Sequence, residues 1–265
     1  MKKENKAPQN IIEPPFFSNW ADLFMPRIAN VILPLVVKVR WLTPNIITLA
    51  SFFLYVLGCL MIFMDISGHL FYTALLLPVA YVGDCLDGQV ARARDLSSPI
   101  GNYLDKTLDV LKIYILCASL GYGAYLNTHD ALYIFLGLSA CFFFNFRYYI
   151  KLETIFSQCN KDSGYLAACS IRRQDLYWKK EKEYAKLTGS FIGKMKLFWL
   201  KNRAIFWVDE AEFVVFTSVA ALLDRIEAVV WLFAISQALI ACWRLLERGY
   251  QTHRLPRQLL DPMRK

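Results

Sequence analysis

Six stretches of this chain, residues 46–64, 70–83, 107–126, 131–150, 211–223 and 226–243, are apolar and carry almost no charge. Each approaches or reaches the roughly 20 helical residues that cross a lipid hydrocarbon core. The expected fold class is therefore all-α, a polytopic membrane protein with six transmembrane helices. The overall make-up agrees: 56% of residues are hydrophobic, 15% are aromatic and the mean hydropathy is positive, which separates the chain from an ordinary soluble enzyme. The fifth stretch is the shortest. It reaches full length only if its helix starts near Trp207, a start that draws Asp209, Glu210 and Glu212 toward the cytoplasmic headgroups.

Lys and Arg in short loops are retained on the cytoplasmic side of a membrane. Here they gather before the first stretch (Lys2, Lys3, Lys6, Arg27, Lys38, Arg40), after the second (Arg92, Arg94) and after the last (Arg244, Arg248, Arg254, Arg257, Arg264, Lys265). The loops DISGH at 65–69, NTHDA at 127–131 and LDRIE at 223–227 hold one Arg among them. Both termini are thus expected in the cytoplasm, with a bacterial inner membrane as the expected location. The net charge of +8 collects on that side, so membrane lipids with anionic headgroups are the expected counterpart. Nucleic acid is not an expected partner, because the positive residues form no recognition module. The opening MKKENKAPQN lacks the apolar core of a cleavable signal, so the first span is expected to do the targeting. Seven cysteines, mostly within spans and without a C-x-x-C pair, read as reduced apolar side chains.

Five segments follow. Residues 1–40 form a polar, disordered tail and then an amphipathic interfacial helix, where Trp20, Leu23, Phe24, Ile28, Val31, Ile32, Leu35 and Val39 recur at helical spacing around Pro26 and Pro34. Residues 41–150 hold spans one to four. Thr43 and Pro44 open the first of these as N-cap and first helical residue, and the second helix runs from about Gly68 to Arg94. Residues 151–206 are a basic cytoplasmic insert, with twelve Lys or Arg against five Asp or Glu. Its GSFIGKM segment is no phosphate loop, having too few residues between the glycines and no Ser or Thr after the lysine. Residues 207–250 hold spans five and six, and residues 251–265 are a cytoplasmic tail.

Against this apolar background four carboxylates are out of place. Asp84, Asp87, Asp105 and Asp109 lie in DCLDGQVARARDLSSPIGNYLDKTLD, which reads D-x2-D-G-x2-A-R-x8-G-x3-D-x3-D. Acids at membrane depth are costly and mark function. On a helix, positions i, i+3, i+4 and i+7 share a face. Asp84, Asp87, Gly88 and Ala91 therefore line one side of helix two, and Gly101, Asp105 and Asp109 one side of helix three. The small residues permit close approach by a ligand or a neighbouring helix. The set offers oxygen ligands, which favours hard cations such as Mg2+ or Mn2+ over Zn2+. Two such ions would balance four negative charges and could clamp a diphosphate. Asp109, the last carboxylate, is the natural base for an incoming hydroxyl, and Arg92 is placed to contact the diphosphate.

Residues 84–109 resemble the signature of the CDP-alcohol phosphotransferase (CDP-alcohol phosphatidyltransferase) family at every fixed position, and TPNIIT at 43–48 resembles its entry into the first span. The likeness covers about residues 40–150. It implies transfer of a phosphoryl-alcohol group from a CDP-linked donor to an acceptor hydroxyl, with release of CMP. It also implies two metal ions on Asp84, Asp87, Asp105 and Asp109, with Asp109 as base. The cytidine nucleotide would be held by Asn45, Thr48, Gly88, Arg92 and Ser98, and the protein would be a homodimer. CDP-diacylglycerol is the favoured donor and a small polar alcohol or its phosphate the acceptor; the alternative exchanges these, with a CDP-linked small alcohol and a lipid hydroxyl such as diacylglycerol. Arg147, Lys112 and Arg203 are candidates for an acceptor phosphate, or else membrane anchors. His69, His129 and His253 have no motif partner. A channel or transporter would set its acids along a path across the membrane, whereas these four fall at one level.

Overall fold

The computed structural model describes residues 24–64, 66–160, 194 and 208–258. The expected polar tail, Trp20 and Leu23 of the expected amphipathic helix, most of the basic insert with Arg203, Trp207 and residues 259–265 lie outside the described residues. The described helices are α1 (Met25–Val36), α2 (Pro44–Leu60), α3 (His69–Ala93), α4 (Pro99–Thr128), α5 (Leu132–Cys159), α6 (Glu210–Leu222) and α7 (Ile226–Gln258), with no strand among the described residues.

The helix starts are written locally. Thr43 accepts from the Ile46 N–H at 3.4 Å, with Pro44 in the first turn of α2. The same device opens α4, where Ser98 accepts from Gly101 N–H at 3.1 Å ahead of Pro99. Gly68 precedes α3 with φ +76°, a left-handed backbone that glycine adopts without strain. The α3 span, His69–Ala93, matches the expected Gly68–Arg94 helix to within a residue at each end.

Among the described residues, five helices are long and apolar enough to cross a membrane: α2 with its following 3-10 turn (Pro44–Phe63), α3, α4, α5 and α7. The expected fifth span differs. Its helix, α6, has 13 residues, or about 20 Å at 1.5 Å per residue, short of a core about 30 Å thick. Two of the acids before and within it pair with each other. Asp209 and Glu212 close a capping box in which the Asp209 N–H donates to Glu212 Oε2 at 3.0 Å, and Glu212 is fully buried. The helix therefore starts at Glu210 and lies enclosed against α3 and α7.

One core runs through the bundle, with Tyr55, Leu77, Leu116, Leu120, Phe213 and Phe233 among its buried side chains. The outer faces are also apolar: Phe53, Phe71, Leu75, Phe135, Phe142 and Leu239 are exposed. A water-soluble protein rarely shows so much apolar surface, and lipid is its natural contact. The chain is an integral membrane protein by this measure.

The hairpin ends at Gly68, at His129 and at Asp224 lie at one end of the bundle, where Asn127 Nδ2 donates to Glu227 Oε1 at 2.8 Å. The starts of α2, α4 and α6 lie at the other. There α1 docks on α3, with Ala29 buried beside Leu86 and Val90 of α3 and Ile47 of α2. It leaves Ile28, Val31, Ile32 and Leu35 exposed as an apolar stripe, the face an interfacial helix beds among headgroups.

Arg94 ties this arrangement together. Its guanidinium donates to the carbonyls of Leu42 (2.7 Å), Val36 (2.8 Å), Val37 (2.9 Å) and Val39 (2.7 Å). Replacing it with Lys is expected to loosen α1 almost as much as replacing it with Ala, because an ammonium cannot span four acceptors as a planar fork does. Hydrogen exchange over residues 36–43 should rise at least tenfold in both variants, equivalent to about 1.4 kcal/mol. Unchanged protection in the Lys variant would remove the fork from this role.

Candidate functional site

Helices α3 and α4 bring the acidic motif to the end of the bundle where α2 and α6 begin. Asp84, Asp105 and Asp109 each offer a carboxylate oxygen, and these oxygens lie within 4.8 Å of one another. Asp87, one turn along α3 from Asp84, stands apart from that trio. It is buried, and its Oδ2 accepts the Thr48 hydroxyl, so α2 is locked to α3 beside the cluster. The Pro44 carbonyl, 3.0 Å away, is the alternative acceptor for the same hydroxyl proton.

The remaining residues expected to contact a nucleotide lie around this point. Asn45 faces the first turn of α4: a Cβ added at Gly101 would stand 3.2 Å from Asn45 Oδ1 and 3.2 Å from Ser98 Oγ. Arg92 is exposed and folds back over Gly88, where an added Cβ would lie 3.3 Å from its Nη1. Ser98 is occupied as the α4 cap.

Two lysines complete the charge pattern. Lys106, exposed, meets Asp105 at 2.8 Å and Asp109 at 3.0 Å. Lys112, only 2% exposed, meets Asp84 Oδ1 at 2.5 Å, Asp109 Oδ1 at 3.1 Å and Glu210 Oε1 at 3.7 Å. Lys112 is therefore part of the carboxylate cluster and not a membrane anchor. Arg147 is also buried. It pairs with Asp209, and its guanidinium lies 4.5 Å from the centre of the Phe144 ring. Sequence reading missed Lys106 and gave Asp209 and Glu210 to the headgroups, not to this cluster. The lysine spacing from Asp109 was available as a signal, but nothing local announces that residues 209–210 return to a motif a hundred residues upstream.

The donor set suits a hard divalent ion. Three carboxylates converge with oxygen ligands only, and the lysines now paired with them show how much positive charge that convergence requires.

Comparison with known proteins gives this geometry its context. Residues 41–158 match the CDP-alcohol phosphatidyltransferase family. The matched domain runs from the start of α2 to the end of α5 and contains every aspartate of the cluster. The family implies transfer of a phosphoryl-alcohol group from a CDP-alcohol and is known for divalent-metal use. A curated protein of Aquifex aeolicus (strain VF5), named only as an uncharacterized protein, is 32% identical over 102 residues, which are 38% of this chain and 50% of that protein. The match thus spans half the length of that relative. Helices α6 and α7 lie beyond the matched domain, although α6 supplies Asp209 and Glu210 to the same end of the bundle.

Proposed function

We propose that the chain is a membrane phosphatidyltransferase, moving a phosphatidyl group from CDP-diacylglycerol to a hydroxyl of a small polar alcohol or alcohol phosphate and releasing CMP. The observation that carries this is the convergence of Asp84, Asp105 and Asp109 on adjacent apolar helices within the matched domain. A pair of Mg2+ or Mn2+ ions on the aspartates would neutralise them and polarise the diphosphate oxygens of the donor. Asp87 belongs to that set, since a carboxylate has two oxygens and Thr48 engages one.

The chain's own groups supply the rest. Asn45, Thr48, Gly88, Arg92 and Ser98 hold the cytidine nucleotide, with Arg92 swinging off Gly88 to pair with a phosphate. Asp109 accepts the proton of the attacking hydroxyl. As the new bond forms to the phosphorus that bears the diacylglycerol group, the bond from that phosphorus to the CMP oxygen breaks. The exposed apolar stripe of α1 and the outer faces of α2 and α3 offer lipid access to this end of the bundle, which suits a donor with two acyl chains. The positive loops put that end, with both termini, on the cytoplasmic side. Pairing of two copies as a homodimer is part of the same reading.

Purified protein supplied in turn with labelled CDP-diacylglycerol and with CDP-linked small alcohols decides the donor. Metal-dependent CMP release with the first and not the second is expected. The reverse result would make a lipid hydroxyl the acceptor, and release from neither donor would end the proposal.

A further inference from the structure

Glu210 reaches the aspartate cluster from outside the matched domain, and its position is unusual. Its Oε1 is buried without a hydrogen-bond partner. The ammonium of Lys112 stands 3.7 Å away, beyond hydrogen-bond reach, because it sits instead on Asp84 and Asp109. A buried carboxylate oxygen left without a donor is costly. Here the cost is held beside a flexible cation whose present partners are two of the three converging carboxylates.

We infer that Glu210 is a second berth for Lys112: the ammonium rests on Asp84 and Asp109 while these carry no divalent ion, and shifts onto Glu210 when they do. This rests on the reading that the aspartates hold divalent cations. An ammonium and a divalent ion on the same oxygens repel strongly in a partly dry site. Without another anion Lys112 would oppose every ion that entered, or would be left buried and unpaired. Glu210 removes both problems. The move needed is about an ångström, the gap between 3.7 Å and an ordinary hydrogen bond. A four-carbon stem on α4 makes it without backbone change. The berth itself is fixed, because the Asp209–Glu212 capping box sets the first turn of α6 and Asp209 is pinned by Arg147. Glu210 is a positioning residue, acting through Lys112.

Mn2+ binding to the purified full chain, followed by the electron-spin resonance of the unbound ion, tests this in a cycle of four proteins: wild type, E210Q, K112M and the double variant. E210Q is expected to weaken Mn2+ about tenfold, since Lys112 then has nowhere else to go. K112M is expected to bind Mn2+ at least as well as wild type, and adding E210Q to K112M is expected to change nothing further. Equal weakening by E210Q with and without Lys112 would make Glu210 a direct ligand or a scaffold and overturn the inference. Wild-type affinity in E210Q would overturn it too. Should K112M fail to fold, K112Q takes its place in the cycle. An absence of Mn2+ binding by wild type removes the metal seat itself, whereas binding that ignores E210Q removes only the berth.

Discussion

Replacing Asp109 with Asn is expected to lower metal-dependent CMP release about a thousandfold, within the range by which a positioned proton acceptor speeds a reaction, while leaving a folded protein that binds nucleotide. The side chain keeps its shape in this change. Its carbonyl oxygen can still face Lys112, now 3.1 Å from Oδ1, and can still ligate a hard cation. What it loses is a negative charge and the capacity to take a proton. The two losses are separable. If the effect were only weaker metal binding, raising Mn2+ well above its wild-type requirement would restore turnover. If Asp109 is the base, saturation with metal leaves the rate near its floor. Normal turnover in the variant, or full rescue by metal, would take Asp109 out of that role.

The part of this site that was legible in the sequence is the part written in short-range patterns. The spacing of Asp84, Asp105 and Asp109 on two apolar helices placed them on converging faces, and the oxygens do converge. Thr43 with Pro44 marked the start of α2 for the same reason that Ser98 with Pro99 marks the start of α4: a side-chain acceptor for an orphan N–H, followed by a residue with none to offer. The illegible part is long-range. Lys112 looked like an anchor because an isolated lysine in an apolar helix usually reaches for headgroups. Only the return of α6 shows it surrounded by Asp84, Asp109 and Glu210. The acids at 209–212 misled for a related reason. They were read as the polar rim of a span, whereas a capping box and two buried cations absorb them inside the bundle. Asp87 shares its helix face with Asp84, yet a hydroxyl from α2 takes one of its oxygens. A face predicts direction, not partners.

Leu in place of Gly137 is expected to prevent the bundle from assembling. Helices α4 and α5 touch backbone to backbone here: a Cβ at 137 would stand 2.5 Å from the Cys117 carbonyl and 3.1 Å from the Gly121 Cα, and a Cβ at 121 would stand 2.9 Å from the Tyr133 carbonyl. Backbone atoms cannot swing aside, so the helices must part. In lipid there is little hydrophobic force to hold them, since the bilayer is as apolar as the interface, and close packing carries the association. Separation there also disturbs the site. Gly121 and Asp109 lie on one rigid helix, about 18 Å apart along its axis, and α5 carries the Arg147 that pins Asp209. Even Gly137→Ala is expected to cost about 2 kcal/mol, within the range for overpacking. The control is Gly249→Ala in α7, where an added Cβ meets nothing within 4 Å. That change is expected to be neutral or to stabilise the helix by up to about 1 kcal/mol. Thermal unfolding of the detergent-purified variants, read by size-exclusion chromatography, should give a steep order: Gly249→Ala at or above wild type, Gly137→Ala below it, and Gly137→Leu recovered only as aggregate. A Gly137→Leu protein that ran as a sharp peak with the wild-type midpoint would show that α4 and α5 do not meet as closely as their glycines allow.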